Sequence, residues 1–216
     1  MDEGTRRLAE ACMARIRDRM WRRAGFAPPV PSSLVAQLGL PAELCDGDAV
    51  VFGPRGAGAG VVARALASGR ARPVLVVEGR DFNRVAGHGL LGRGVLTPVP
   101  GYEARVRVRQ GWLLCLVSQG GPAAVVLDAI GCFDSTMTEA LRPMFDRRDV
   151  RLFITAATEA EYQAWALAAL MTVRSPALVH VSDEQRRQLW TRAGEDAQVL
   201  DLLSKEVGSG RKERVN

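Results

Sequence analysis

Short apolar segments that alternate with helical patterns are the feature that most constrains the fold of this chain. From Asp48 onward the runs AVVF, PVLVV, AAVVL, RLFIT and ALVHV occur, and most are followed by a stretch with apolar residues at helical spacing. Strands that are apolar throughout are typical of parallel sheets covered by helices on both faces. The sequence therefore predicts an α/β fold, a three-layer sandwich with about five mostly parallel strands.

The flanking segments divide the chain into three predicted parts. Residues 1–47 begin with an arginine-rich amphipathic pattern and continue with a proline-rich connector, so we expect an N-terminal helical appendage. Residues 48–206 are expected to form the α/β domain, with a β-hairpin insertion that turns near Gln110 and Gly111. Residues 207–216 are polar, and we expect them to form a flexible tail.

Composition and charge narrow the classes of protein to consider. The chain has 216 residues, of which 47% are hydrophobic, so it can bury a core and is not disordered by composition. No apolar run reaches the roughly 20 residues that span a bilayer, and the first residues carry charges throughout. We therefore expect a soluble, intracellular protein with no membrane partner.

The residue counts also bear on metals and partners. The four separated cysteines and two histidines form no zinc-site pattern. The net charge of +5 permits DNA or another polyanion as a partner.

A glycine-rich turn lies between the first predicted strand and the helix that follows it. In a phosphate-binding loop of the form GxxxxGK[ST], backbone N–H groups surround the phosphates, the lysine contacts their oxygens and the hydroxyl holds magnesium. Here the framework glycines are kept, whereas alanine and glycine replace the lysine and the hydroxyl-bearing residue. The arginine within the turn is the nearby cation that could replace the lysine. The predicted cofactor-binding residues are Gly53, Pro54, Arg55, Gly56, Ala57, Gly58, Ala59 and Gly60.

An acid ends the third predicted strand, where a phosphate-loop NTPase has its metal-side aspartate. Asp128 is therefore the predicted catalytic and metal-binding residue. Such enzymes usually have a second acid next, but the following residue here is Ala129 and the next acid is Asp134. Thr155 is the polar residue within the fourth strand, at the place of a γ-phosphate sensor, and Thr158 is the first polar residue beyond it. The residue types favour an ordinary strand hydroxyl for Thr155 and a helix cap for Thr158. An aspartate that only caps the turn after its strand is the alternative interpretation of Asp128.

The order of these motifs resembles the genome-packaging ATPases of large DNA viruses, which are related to bacterial DNA translocases of the FtsK and HerA type. GPRGAGAG stands at the place of the family's phosphate loop, VVLDA at its acidic strand, RRDVRLFITAAT at its sensor strand, and VRSPALVHVSDEQRRQLW at its last strand and helix. The resemblance covers about residues 48–192. It implies a P-loop NTPase-like fold of the RecA or FtsK-HerA type, with ATP at the glycine turn, a metal at Asp128 and DNA as the polymer.

The departures from that family's pattern predict weak or absent ATP hydrolysis. The lysine, the magnesium-binding hydroxyl and the second acid are all missing, and no glutamine stands at the sensor position. The sequence thus predicts a degenerate P-loop ATPase-like domain that binds ATP weakly or not at all and lacks the usual ligands of Mg²⁺. For a viral protein of this kind we expect a location in the cytoplasm, the virus factory or the virion, and a protein partner or a homo-oligomer.

Two alternatives and one further surface complete the sequence-based hypotheses. The glycine turn can serve tight strand–helix packing alone, which would make the chain a non-enzymatic structural or protein-binding module, such as a RecA-like scaffold subunit. A helicase-like viral nucleic-acid-binding protein, as in some plant viral movement proteins, is the second alternative.

Alternating arginines before the hairpin turn put three guanidinium groups on one strand face. Such a face can bind a phosphate backbone or can be an ordinary solvated edge strand. The predicted nucleic-acid-binding residues are Arg105, Arg107 and Arg109.

Overall fold

The computed structural model of this protein describes residues 30, 33–69, 74–78, 124–169, 171 and 174–208. The predicted N-terminal helix, the predicted hairpin with its three arginines, and the tail beyond residue 208 lie outside the described residues.

The described strands form one five-stranded sheet in which every neighbouring pair is parallel. The strands are β1 (Ala49–Phe52), β2 (Val74–Glu78), β3 (Ala124–Asp128), β4 (Arg151–Ala156) and β5 (Ala177–His180). Their order is β2-β3-β4-β1-β5, so β1 lies between β4 and β5, and β3 lies between β2 and β4. The α/β class and the parallel sheet predicted from the sequence are confirmed.

In the described residues an α-helix comes after each of β1, β3, β4 and β5. Two short 3₁₀ turns, Ala42–Cys45 and Ile130–Cys132, precede β1 and follow β3. In the described part of the chain the α-helices are α1 (Ser33–Gln37), α2 (Ala59–Ser68), α3 (Ser135–Phe145), α4 (Glu159–Ala168), α5 (Asp183–Ala193) and α6 (Ala197–Gly208).

The interior strands of the sheet are buried on both faces, with a separate apolar core on each side, whereas the edge strand β5 exposes Leu178. Val125 and Leu127 of β3 pack with α3 and α4, whereas Ala124 and Val126 pack with α1, α2, α5 and α6. The alternation follows from the strand pleat, which sends successive side chains to opposite faces. Asp128 continues the Ala124–Val126 series, so its side chain is directed to the face covered by α2.

The carboxyl ends of β1 and β4 meet where the helices change sides. The two strands are neighbours, with Phe52 paired to Ala156, yet β1 leads into α2 on one face and β4 leads into α4 on the other. Open α/β sheets bind ligands at such a switch point, where the loops that leave adjacent strands diverge. The glycine turn after β1 lies at this point.

The helix caps differ from the sequence pattern at α3. The segment STMTEALRPMF predicts a helix with a Ser or Thr cap. This prediction is wrong, because Asp134 is the cap and its Oδ1 accepts a hydrogen bond of 2.7 Å from the amide of Met137. Thr158 caps α4 as predicted, with its hydroxyl accepting a bond from the amide of Glu161. The segment DEQRRQLWTRAGEDAQVLDLLSKE predicts a final helix, with Gly194 as the place where it can break. The structure divides it there into α5 and α6.

A buried ion pair joins the amino ends of β1 and β4 to the segment before β5. Arg174, whose side chain is 2% exposed, donates to both carboxylate oxygens of Asp48 at 2.9 and 2.8 Å. The Asp48 Oδ1 also accepts a bond of 2.8 Å from the amide of Leu152 in β4. The guanidinium donates further to the carbonyl oxygens of Met144, Phe145, Arg147 and Val150, at and after the end of α3.

None of the helices in the described segments has the length and apolar composition needed to cross a bilayer.

Candidate functional site

The glycine turn forms a closed loop that leads directly from β1 into α2. The amide of Gly53 still bonds to the Ala156 carbonyl of β4 at 3.2 Å, and the amide of Ala57 closes a turn on the carbonyl of Pro54 at 2.9 Å. Gly58 precedes α2 with a φ of 88°, in the left-handed region, and its carbonyl accepts the first helical bond from Val62. This geometry turns backbone N–H groups at the start of α2 toward one point.

A carboxylate of the last helix is bound at that point. The Oε2 atom of Glu206 accepts a hydrogen bond of 3.1 Å from the amide of Gly58, and its Oε1 atom accepts one of 3.0 Å from the amide of Gly60. The amino end of a helix favours such an anion because its N–H groups are unpaired within the helix and its dipole is positive there. The loop therefore holds an anion, and that anion belongs to α6 of the same chain.

Three glycines of the loop each face a side chain of α5 or α6. A β-carbon at Gly56 would lie 2.9 Å from Cγ2 of Val207, and one at Gly58 would lie 2.4 Å from Cδ1 of Leu189. At Gly60 it would lie 2.8 Å from Oε1 of Glu206 and 3.0 Å from Oδ2 of Asp128. Real β-carbon contacts are not this short, so the missing side chains make room for the last two helices.

Asp128 is held by two partners at the end of β3. Its Oδ2 atom accepts a bond of 2.8 Å from Nη2 of Arg64, and its Oδ1 atom accepts one of 2.7 Å from the hydroxyl of Thr155. The same hydroxyl oxygen accepts a bond of 2.7 Å from the amide of Ala129, whose φ of 55° is left-handed. Arg64 and Asp128 are largely buried, with side-chain exposures of 6% and 17%. The pair therefore places the positive charge of Arg64, a residue of α2, beside the end of β3 and close to the glycine loop.

The carboxyl of Glu206 titrates far from its usual range. Burial and the negative charge of Asp128 raise the pKa of Glu206 from 4.5 to about 7. The N–H groups of Gly58 and Gly60 and the charge of Arg64 act in the opposite direction and lower this pKa. Near neutral pH this carboxyl therefore changes protonation state while it is bound to the loop.

The predicted loop residues lie in three environments. Pro54 and Arg55 are exposed at the tip of the turn, and Gly53 is partly buried at the end of β1. The other five are buried between β1, α5 and α6, and Ala59 presents a methyl group where a phosphate loop has its lysine. They are Gly56, Ala57, Gly58, Ala59 and Gly60.

The loop is also tied to α5 through an aromatic side chain. Trp190 donates a hydrogen bond of 3.1 Å from its indole N–H to the carbonyl of Gly56. The ring is partly exposed, on the face of α5 that also carries Arg186 and Arg187. Within the described ranges, no group of three His, Cys, Asp or Glu side chains is arranged to hold a metal ion.

Sequence reasoning identified the loop and Asp128 but missed Arg64 and Glu206. Arg64 lies four positions after Gly60, one helical turn along the same face of α2, so its reach toward the loop could have been inferred. Glu206 interrupts the apolar stripe of α6 seven residues after Val199, which is the signal of a buried acid. Nothing in the local sequence shows that this acid contacts the loop.

Comparison with known proteins gives no further indication of this contact. No protein-family model matches the chain, and no curated protein matches it significantly.

Proposed function

We propose that this chain is a degenerate P-loop domain related to DNA packaging and translocation motors, which has lost ATP hydrolysis and acts as a structural relative of such motors. The observation that carries the proposal is the binding of the Glu206 carboxylate by the amides of Gly58 and Gly60. In a P-loop motor, amides at this place bind the phosphates of the nucleotide. A carboxylate and a phosphate cannot occupy them together.

The position of the loop in the sheet supports the P-loop part of the proposal. Phosphate-loop motors place the loop-bearing strand centrally and the strand with the metal-side aspartate beside it or one strand away. Here β1 lies inside the sheet, between β4 and β5, and β3, which ends in Asp128, is separated from it by β4 alone. In a Rossmann order the first strand lies beside the second, whereas β2 here is at the far end of the described sheet.

The residues around the loop fit Mg·ATP poorly in this arrangement, which supports the loss of hydrolysis. Position 59 lacks an ammonium group, and position 60 lacks a hydroxyl and faces two carboxylates. Both oxygens of Asp128 already accept bonds, from Arg64 and Thr155. Phosphoryl transfer needs positive charge and metal ligands around the γ-phosphate, and the described residues of this arrangement supply one buried arginine that is paired with an acid.

The test is the response of the full chain to Mg·ATP. We expect millimolar Mg·ATP to leave the midpoint of thermal unfolding unchanged and to release no phosphate, because the amides are already bound. A ligand at 100 times its dissociation constant would add about 2.7 kcal/mol to the free energy of unfolding. Phosphate release that disappears in Asp128→Asn would overturn the loss of hydrolysis. A stabilisation by ATP that persists without magnesium and disappears in Arg55→Ala would instead assign an arginine-held phosphate.

The relation to DNA motors has its own test. Binding of duplex DNA should weaken steeply with salt, because neutralised phosphates release counterions. Replacement of Arg105, Arg107 and Arg109 by serine should weaken this binding and reduce its salt dependence. DNA binding that does not change with salt concentration, or no DNA binding, would remove DNA from the proposal and leave a protein partner.

A non-enzymatic protein-binding module is the second candidate function, and one observation favours it. Gly56, Gly58 and Gly60 all have packing partners in α5 or α6, so close packing alone would account for their lack of side chains. The two candidates differ in what the loop does once the Glu206 carboxylate is removed. A phosphate loop would then bind a phosphate-type anion, whereas a packing loop would not.

A further inference from the structure

The last turn of α6 is more exposed to solvent than the middle of that helix. Val199 and Leu203 are fully buried between α6 and the core, and these apolar contacts anchor the helix. Toward the carboxyl end, Val207 is 53% exposed and Lys205 pairs with Asp201 at the surface. From this turn, Glu206 reaches the amides of Gly58 and Gly60, and Val207 faces Gly56.

The charges around Glu206 act against one another. The amino end of α2 and the guanidinium of Arg64 attract the carboxylate. Asp128 repels it, and so does the negative carboxyl end of α6, in whose last turn Glu206 itself lies. Among the described residues these are the charged groups that α2, β3 and α6 direct at this carboxyl. A free anion at the same amides would keep the attraction of α2 and would carry no helix dipole of its own.

We propose that the last turn of α6 is an autoinhibitory plug, in which Glu206 keeps phosphate-type anions from the amides of Gly58 and Gly60. The inference rests on the proposed function, because it assigns a means of regulation to the same loop. Release of the plug exposes two N–H groups at the start of a ten-residue helix. Because no lysine or hydroxyl is present, the exposed loop binds phosphate groups through its backbone and through Arg64, without a magnesium requirement.

The experiment compares pyrophosphate binding by the full chain in magnesium-free buffer. Glu206→Ala removes the carboxylate, and Asp201→Ala is the matched control because it removes an exposed acid from the same helix. We expect Glu206→Ala to bind pyrophosphate at least tenfold more tightly than the wild type and the control, as measured by calorimetry. In glycine-labelled protein, pyrophosphate should shift the amide resonances of Gly58 and Gly60 in that variant only.

Glu206→Gln keeps the experiment decisive if the alanine variant does not fold. The amide keeps the shape of the side chain and one acceptor oxygen but has no charge, so it should also bind pyrophosphate more tightly than the wild type. The plug is overturned if a folded variant of either kind binds no more tightly than the wild type, or if binding is equal in all proteins and leaves both glycine resonances unchanged. Hydrolysis of Mg·ATP by the wild type would contradict the proposed function. If the wild type hydrolyses no Mg·ATP and Glu206→Ala binds pyrophosphate no more tightly than the wild type, the plug alone is contradicted.

Discussion

The Oε1 atom of Glu206 accepts a hydrogen bond of 3.0 Å from the amide of Gly60, and a β-carbon at Gly60 would lie 2.8 Å from the same oxygen. The docked carboxylate and the missing side chain are therefore linked, because each occupies space that the other would need. The glycine that replaces the magnesium-binding hydroxyl of a phosphate loop is also the residue that admits the acid of α6.

This link predicts coupled effects on stability. Alanine at position 60 should help helix formation by about 1 kcal/mol, but the contact with Glu206 should outweigh that gain and destabilise the wild type by about 1 kcal/mol. In a Glu206→Ala background, Gly60→Ala should cost less, with a coupling free energy of about 1 kcal/mol or more. Urea unfolding of the wild type, the two single variants and the double variant measures this coupling free energy as a double-mutant cycle. Equal costs in the two backgrounds would show that the two residues do not share this space.

The raised pKa of Glu206 predicts a pH dependence of stability. Because its pKa is about 7 in the folded state against 4.5 ordinarily, the folded protein binds this proton more tightly than the unfolded chain. The resulting stabilisation is complete below pH 4.5 and is lost as the pH rises through 7, with a total on the order of 3 kcal/mol.

Glu206→Gln isolates that contribution because it cannot titrate. Between pH 4.5 and 7 its free energy of unfolding should fall less steeply than that of the wild type. Asp201→Asn, at an exposed acid of the same helix, should follow the wild type. Parallel curves for wild type and Glu206→Gln would mean that Glu206 titrates normally in the folded protein.

Gly58 of the loop, compared with two glycines outside it, predicts a graded series of alanine substitutions. Gly58→Ala combines a φ of +88° with a contact of 2.4 Å to Leu189, so it should cost about 3 kcal/mol. Gly39→Ala has a φ of +65° but open space around it, so only strain of about 1 kcal/mol is expected. Gly47→Ala has neither and should change stability by less than about 0.5 kcal/mol. Denaturant midpoints rank the three, and a different order would refute the loop geometry.

The buried pair of Asp48 and Arg174 predicts a large loss of stability when one partner is removed. Arg174→Met leaves Asp48 without its cation in a buried place and should cost about 3–5 kcal/mol. The matched control is Arg187→Met, which breaks an exposed pair with Glu184 and should cost less than about 1 kcal/mol. Urea unfolding measures both. Similar losses in the two variants would show that burial does not set the strength of the Asp48 pair.

The fold was largely predictable because its determinants are local. Unbroken apolar runs predict buried parallel strands, and helical spacing with capping residues predicts the helices between them, as for α4. The cap of α3 was missed because Asp134 and Ser135 are adjacent candidates, and the choice between them depends on where the preceding 3₁₀ turn ends. The order of the strands has no local signature, since it depends on the face to which each connection crosses.

The sequence by itself determined that a glycine turn without lysine or hydroxyl leads from β1 into α2, and that an acid ends β3. Only the tertiary structure decided what those groups contact: Arg64 and Thr155 for Asp128, and Glu206 for the turn. Gly60 and Glu206 are 146 positions apart, and no spacing rule joins them. They meet because α6 packs on the same face of the sheet as α2, and this packing, rather than the loop's own residues, supplies the anion that the amides bind.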